Sequence, residues 1–377
     1  MKYDGVRFEL TIAPEYVASW GFKEAIREFI QNGIDAETEN PQHTFEMDWD
    51  SETEELTLKN KNTSIEIKSM LLGRTTKANN KNLIGQFGEG YKIATLVMNR
   101  LGKKVTIHNG ETGQLWQSSI EHSERFDSDV LVFTITESED VSRDLNIRIS
   151  NVTYDETDSI EEVWLNAFDE YRDRDIIETR YGDILLDEDL AGCIYVNGLF
   201  VQKESTYKYG YNIKPQYIEL DRDRGTVMWY DLRMTSARMI TEAAFNDKIS
   251  ADEFIQIMKE NNDIEFAQYV TTSNVSTLKD KIVAAFDKEY PNSIPVRSQR
   301  EFELVKSLGG RPVIIAERLA DYVDTIINER IDKLAEERIE DGETMYDKFN
   351  MWFHTYCNGI SDEGKTKFSK LIEKLAV

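Results

Sequence analysis

Three polar side chains with the chemistry to act on a ligand fall on one stripe of a helix predicted over residues 22–37. Glu28, Asn32 and Asp35 are spaced i, i+4 and i+7, and a helix turns by about 100° per residue. The stripe borders the apolar face that contains Phe29 and Gly33. A carboxylate and an amide at the edge of a core can point into a cavity between helix and sheet. Amphipathic helices also have polar flanks, so the triplet alone equally fits a solvated edge.

A glycine-rich segment further along the chain directly precedes a second predicted helix, over residues 91–101. It consists of Gly85, Gln86, Phe87, Gly88, Glu89 and Gly90. Glycines at i, i+3 and i+5 let the backbone close around an anion, and the following helix start offers free N–H groups and a positive dipole end. The spacing differs from the dinucleotide fingerprint GxGxxG. Alone, such a segment also fits a simple turn before a helix.

Together and in this order, the two motifs resemble the nucleotide site of the GHKL superfamily. This superfamily includes Hsp90 chaperones, gyrase-type ATPase subunits, MutL and sensor histidine kinases. Residues 28–36, EFIQNGIDA, are similar to its first motif, E-(L/F)-I-x-N-(A/G)-x-D-A. Residues 85–90 are most similar to the phosphate-binding motif of the Hsp90-like ATPase domain. The resemblance covers residues 20–110 and weakens beyond residue 150.

The resemblance implies an α+β fold whose first part, residues 1–155, is a Bergerat-type α/β sandwich with a mixed sheet and helices on one face. Strand-like runs then predict a smaller α/β segment over residues 156–232, which is either transducer-like or an elaboration of the first domain. Residues 233–377 are rich in Glu, Lys, Ile, Leu and Ala, and they are predicted to form a helical C-terminal region.

The resemblance also implies ATP and Mg²⁺ as cofactors and gives the motif residues their roles. Glu28 corresponds to the carboxylate that orients or deprotonates the attacking water in the hydrolytic members. Asn32 corresponds to the amide whose oxygen binds Mg²⁺, and Asp35 to a motif position against the nucleotide pocket. The backbone of residues 85–90 would cradle the phosphates, and residues 73–84 would form a lid.

Three basic residues are further candidates for a phosphate contact. Lys77 lies in the predicted lid, where it either reaches a phosphate or is a solvated loop lysine. Arg222 and Arg224 lie in the stretch LDRDRG between strand-like runs. A guanidinium there is suited to a phosphate, but the same stretch fits an internal Arg–Asp network on a turn.

The segment that begins at Asn60 departs from the family pattern. It reads NKNTS over residues 60–64, where the family carries D-x-G-x-G and its aspartate accepts a hydrogen bond from the adenine amino group. Asn60 can accept such a bond through its carbonyl oxygen, but its amide can also donate, for example to a guanine edge. ATP is the favoured nucleotide, and strict adenine specificity stays open. The missing glycines predict a stiffer or displaced turn.

Composition limits the classes of partner. The 377-residue chain carries a net charge of −25, which disfavours direct binding to nucleic acids or anionic lipid. Its cysteines, Cys193 and Cys357, are too few for a disulfide framework. Because the N-terminus lacks a signal-peptide core and no apolar run approaches about 18 residues, we expect a cytoplasmic protein without a membrane span.

We therefore predict a Mg²⁺-dependent ATP-binding protein of the GHKL type. It would hydrolyse ATP slowly and couple nucleotide binding and lid closure to a conformational change. A protein partner or client and a homodimer are the expected assemblies. One alternative, motivated by Asn60, is a non-hydrolysing nucleotide-binding or protein-interaction module. Another, motivated by the net charge of −25, is an acidic decoy of a nucleic-acid-binding enzyme.

Overall fold

The structure is a computed structural model of the whole chain. It describes residues 5–70, 90–138, 142–167, 174–220, 227–260, 275–315, 319–320, 323–340, 349, 351–353, 357 and 360–373. The chain divides into two compact units, Met1–Thr235 and Ser236–Val377. Within the described part, every helix is too short or too polar to cross a bilayer.

The first unit contains an antiparallel sheet with seven strands among the described residues. The strands are β1 Val6–Glu9, β2 Phe45–Asp50, β3 Glu55–Asn60, β4 Val105–Asn109, β5 Gln114–Ser123, β6 Ser128–Glu137 and β7 Leu145–Ile149. Their order in the sheet is β1-β6-β5-β4-β7-β3-β2. Each of these neighbouring pairs is antiparallel.

Strand β3 shows how the sequence orients this sheet. Its residues alternate between half-buried and buried positions, and Leu56, Leu58 and Asn60 are all on the buried side. Because side chains in a strand alternate between the two faces, the same period that buries the two leucines also directs Asn60 into the interior. A polar side chain in such a position needs hydrogen-bond partners inside the fold.

Three helices of the first unit are α1 Phe22–Glu39, α2 Gly90–Arg100 and α3 Tyr154–Val163. The helices predicted over 22–37 and 91–101 are thus confirmed, with small shifts at their ends. At the start of α1, the backbone N–H of Gly21 donates to Glu24 Oε2 at 2.8 Å. The buried side of α1 includes Phe22, Ile26 and Phe29, and α1 packs against α2, α3 and β3.

Gly33 allows α1 to approach β2 closely. A Cβ at this position would overlap the ring of Phe45, the first residue of β2. The ring of Phe45 in turn lies 5.2 Å, centroid to centroid, from that of Trp164, which directly follows α3. The glycine therefore serves close helix–strand packing, and its position fixes the height of α1 over the sheet.

Two cationic side chains connect the segments around α1 through hydrogen bonds. Arg100, at the end of α2, donates hydrogen bonds to four backbone carbonyls within residues 14–20. Lys103 is buried and donates to Asn151 O at 2.5 Å and to Glu156 Oε2 at 2.6 Å. Glu156 also accepts from the backbone of Thr153 before α3. These contacts join the approach to α1, the end of α2 and the start of α3.

A second sheet in the first unit is formed by later strands. They are β8 Ile176–Thr179, β9 Gly182–Leu185, β10 Cys193–Val196, β11 Leu199–Lys203 and β12 Gly210–Ile213. The order is β11-β10-β12-β9-β8, and β10 pairs with β12 in parallel. Parallel and antiparallel pairs therefore mix in this sheet. The first sheet, predicted to be mixed, is antiparallel in all its described pairs.

The remaining elements are mainly helical, as the sequence predicts. The helices are α4 Trp229–Phe245, which contains the boundary between the units, α5 Ala251–Glu260, α6 Val275–Glu289, α7 Gln299–Ser307, α8 Asp324–Glu340 and α9 Asp362–Glu373. A short parallel pair, β13 Ile294–Val296 and β14 Pro312–Ile314, was not predicted. Each strand has three residues, one of them proline, so the sequence there resembles a loop. The α+β fold class is confirmed.

Candidate functional site

The polar stripe of α1 is buried. The side chains of Glu28 and Asp35 are 7% and 0% exposed, and Asn32 is half-buried. The amide nitrogen of Asn32 donates to the carbonyl oxygen of Glu28 at 2.7 Å. Asn32 Oδ1 is an acceptor, and it accepts no hydrogen bond from the residues that the structure describes. A solvated helix edge does not describe these three residues.

Gly90, the first residue of α2, lies directly against this stripe. A Cβ added to Gly90 would overlap Glu28 Oε2 and would lie 3.2 Å from Asn32 Nδ2. The first turn of a helix has unpaired N–H groups and a positive dipole end. The buried Glu28 carboxylate and the half-buried Asn32 amide thus lie at the α2 N-terminus, at the last position of the glycine motif. Only a residue without a side chain leaves this space open.

Asn60 has a defined amide orientation. It is 4% exposed, and its Nδ2 donates to Gly33 O at 2.9 Å and to His43 O at 3.0 Å. Both N–H groups are therefore used by backbone carbonyls, and two carbonyl partners require that the nitrogen, not the oxygen, faces them. The remaining Oδ1 can only accept. In this orientation Asn60 offers an acceptor, as an aspartate would.

The turn after Asn60 is held in place without the glycines of the family pattern. Asn62 has φ of +52°, in the left-handed region that asparagine tolerates better than most other residues. The backbone N–H of Asn62 donates to Asp144 Oδ1 at 3.1 Å, and that of Lys61 to Thr44 O at 3.1 Å. The turn is therefore fixed by hydrogen bonds on both sides, and asparagine supplies the conformation that glycine would otherwise provide.

Asp144 connects this turn to the sheet. Its carboxylate accepts from the backbone of Asn62 and forms an ion pair with Lys59 at 3.0 Å. Although burial acts to raise it, hydrogen bonds from Lys59 and Asn62 hold the pKa of Asp144 below its usual value. The charged form therefore stabilises the turn.

Three side chains at this site have no assigned role in the motif comparison. Gln31 is 1% exposed, and neither atom of its amide has a hydrogen-bond partner in the described part of the chain. Lys92, in the first turns of α2, is also buried. Burial and the nearby Asp35 carboxylate raise the pKa of the Tyr91 phenol well above its usual range. The sequence could have pointed to Gln31 as a site residue, because it lies between Glu28 and Asp35 on the same predicted helix.

Several predicted site residues lie outside the described residues. They are Lys77 and the rest of the predicted lid over 73–84, the motif residues Gly85, Gln86, Phe87, Gly88 and Glu89, and the arginines Arg222 and Arg224. Of the glycine motif, only Gly90 is described. The structure thus brings together Glu28, Asn32 and Gly90, and it connects Asn60 to the same helix through Gly33 O.

This arrangement fits a Mg²⁺-bound triphosphate. Asn32 Oδ1 accepts no hydrogen bond within the described part of the chain, and an amide oxygen is a hard ligand of the type that Mg²⁺ prefers. The space at Gly90, which a Cβ would fill, lets a phosphate approach the helix start. The acceptor-only Asn60 Oδ1 suits the amino group of a base.

Comparison with known proteins identifies one family match and several distant structural similarities. Residues 158–244, less than a quarter of the chain, match the family described as Mycoplasma pneumoniae MPN635 N-terminal domain. A search of curated proteins gave no match.

The similar solved structures include ATPase regions of topoisomerase II. The ATPase region from Saccharomyces cerevisiae is 12% identical, with a TM-score of 0.34 over 48% of this chain and 62% of that one. The same region bound to ICRF-187 (dexrazoxane) is 11% identical, with a TM-score of 0.37 over 55% and 77%. The ATPase and transducer domains from Balamuthia mandrillaris are 12% identical, with a TM-score of 0.37 over 64% and 83%. The chain thus spans less than two thirds of the first of these regions. Similarity at this level does not support any statement about the activity of this chain.

Proposed function

We propose that this chain binds Mg²⁺–ATP in the manner of the GHKL superfamily and hydrolyses it slowly. The observation that carries the proposal is the contact of Gly90 with Glu28 and Asn32. These residues belong to two motifs that are far apart in sequence, and a nucleotide site of this type requires them to meet. Residues 1–155 would form the nucleotide-binding domain, residues 156–232 the α/β segment and residues 233–377 the helical region.

Glu28 is the catalytic carboxylate in this proposal. It would orient the attacking water or take its proton, and its burial beside the α2 N-terminus supports this role. A positioned general base contributes about 10²–10⁴ to a rate. Asp35 would support the pocket from the next turns of α1.

Asn32 would hold the metal through Oδ1. Its Nδ2 donates to Glu28 O, which fixes the orientation of the amide, so Oδ1 would be the ligating atom. Magnesium is commonly held by one or two protein oxygens together with waters and phosphate oxygens. When bound, Mg²⁺ would neutralise charge on the phosphates. The backbone of residues 85–90 would contact the phosphates, and Lys77, Arg222 and Arg224 are proposed as further contacts.

Asn60 would select adenine. Because both N–H groups bind Gly33 O and His43 O, the acceptor Oδ1 is the group that it would offer to a base. The adenine amino group is a donor and matches an acceptor. The corresponding guanine oxygen is an acceptor, so Asn60 would leave it without a donor.

Contacts of α1 suggest how lid closure would be transmitted to the second sheet of the first unit. Gly33 packs on Phe45, Phe45 on Trp164, and Trp164 lies against Gly198 in the loop between β10 and β11. In the same loop, Asn197 Nδ2 donates to Thr38 Oγ1 at 3.2 Å. A shift of α1 on nucleotide binding and lid closure would therefore move this loop. A protein partner or client, a homodimer and a cytoplasmic location remain parts of the proposal.

Phosphate release and nucleotide binding, measured side by side, test the proposed hydrolysis. Glu28→Gln should retain Mg²⁺–ATP binding and lose phosphate release by about 10²-fold or more. Equal phosphate release in Glu28→Gln and the wild type would remove the catalytic assignment. Binding without release in the wild type itself would favour the alternative, a non-hydrolysing nucleotide-binding module.

A further inference from the structure

A mostly apolar cavity of about 240 Å³ lies within the second unit. Helix α6 contributes Ile282, Val283 and Phe286 to its wall, and β14 contributes Val313 and Ile314. An engineered cavity of about 150 Å³ is known to hold benzene, so this volume has room for a group of roughly ten carbon atoms. The concave shape and small size favour a small molecule over a protein surface.

The polar part of the described wall lies at the end of α6. Glu289 and Tyr290 are next to each other there, and Glu289 is exposed to solvent. The neighbouring Glu289 carboxylate raises the pKa of the Tyr290 phenol. The Tyr290 ring is 5.2 Å from that of Phe286, centroid to centroid. A carboxylate and two aromatic rings therefore border an apolar space.

The carboxylate and the aromatic rings favour a positively charged ligand. A carboxylate attracts a cation, and aromatic faces add a favourable interaction with ammonium groups. The neighbouring Lys288 lies 3.5 Å from Asp252, with which it forms an ion pair. An anionic ligand would meet the negative charge of Glu289 at the rim.

We propose that this cavity binds a small organic ammonium ion, with the apolar body among the α6 and β14 side chains and the cationic group at Glu289. The site is separate from the proposed nucleotide site, and none of its described wall residues belongs to the nucleotide motifs. Its test therefore requires no nucleotide, and it can succeed or fail independently of ATP binding.

Calorimetric titration of the full chain with three probes of equal length tests the charge preference. The probes are n-hexylammonium, 1-hexanol and hexanoate. We expect n-hexylammonium to bind about threefold to tenfold more tightly than 1-hexanol, and hexanoate to bind most weakly. Equal affinity for the ammonium and the alcohol, or no binding of n-hexylammonium at millimolar concentration, would overturn the proposal.

Variants locate the binding. Glu289→Gln, at an exposed position, should remove the preference for the ammonium over the alcohol. Glu329→Gln on α8 removes the same charge away from the cavity wall and should keep the preference.

Val283→Phe should weaken the binding of all three probes because the larger side chain fills the cavity. Ile314→Trp serves the same purpose at a half-exposed position if Val283→Phe fails to fold. A preference that survives in Glu289→Gln, or hexylammonium binding unchanged in a folded cavity-filling variant, would contradict the site.

Discussion

Glu28 Oε2 occupies the space in which a Cβ of residue 90 would lie. The carboxylate belongs to α1 and the glycine to the start of α2, so this single contact fixes the first helix against the end of the glycine motif. The backbone of residue 90 and the acid are closer than any other residue type at position 90 would allow. The proposed chemistry depends on this relationship.

Gly90→Ala should therefore reduce phosphate release, and it should also lower the stability of the fold. The added methyl group must displace the Glu28 carboxylate, and a misplacement of about 1 Å can cost up to about 10²-fold in rate. Because Glu28 is buried, displacing its carboxylate costs more than the helix preference of alanine recovers, so we expect a lower thermal midpoint. Phosphate release and thermal unfolding measure the two effects. Full activity in the variant would show that the position of Glu28 is not critical.

Asn60→Asp restores the family residue, and we expect it to destabilise this chain. Aspartate cannot donate to Gly33 O and His43 O, which would leave a buried acid beside two unpaired carbonyls. Each buried group left unsatisfied costs about 1–3 kcal/mol, so the free energy of unfolding should fall by about 2–5 kcal/mol. Urea denaturation measures this free energy of unfolding. Asn62→Gly, which keeps the left-handed conformation, should change it by less than about 1 kcal/mol.

Lys103→Met should destabilise the first unit. The substitution leaves Asn151 O and Glu156 without their ammonium partner in a mostly buried setting, at a cost of about 2–4 kcal/mol. Lys23→Met is the matched control, because the Lys23–Glu162 pair is exposed and its loss should cost less than about 1 kcal/mol. Equal effects of the two substitutions in urea denaturation would refute the structural role of Lys103.

Asp144 should make a pH-dependent contribution to stability. Its pKa is lowered in the folded state, so its contribution is present above its ordinary pKa of 3.8 and is lost as the pH falls through the folded value. The stability difference between wild type and Asp144→Asn should be constant above about pH 5 and shrink below about pH 4. Unfolding midpoints across this range measure it. A stability difference between wild type and variant that grows as the pH falls would contradict this prediction.

The sequence predicted the parts of this fold that depend on local periodicity. The approximate bounds of α1 and α2 follow from apolar spacing. The inward direction of Asn60 became apparent only in the structure, where β3 extends to this residue and its alternation buries Leu56, Leu58 and Asn60. The amide orientation of Asn60 was not predictable, because it depends on a carbonyl of Gly33 that only the packing of α1 brings near. The strands β13 and β14 were missed because they are short and pair across an intervening helix.

The site was predictable to a similar extent. Motif spacing pointed to Glu28, Asn32 and Gly90, but a helical stripe alone also fitted a solvated edge. Their contact depends on the crossing of α1 and α2, which no short-range pattern encodes. Asn62 has the left-handed conformation that glycine readily adopts, and asparagine at that position was a signal that the sequence already contained.

Calorimetric titration with a non-hydrolysable ATP analogue and Mg²⁺ tests the central claim most directly. We expect one binding event per chain in the wild type, and its loss when Mg²⁺ is omitted or in Asn32→Ala, a variant that removes the proposed metal ligand and keeps a good helix former. An analogue that binds Asn32→Ala as tightly as the wild type would contradict the metal site. Absence of any binding to the wild type would contradict the proposed nucleotide site as a whole.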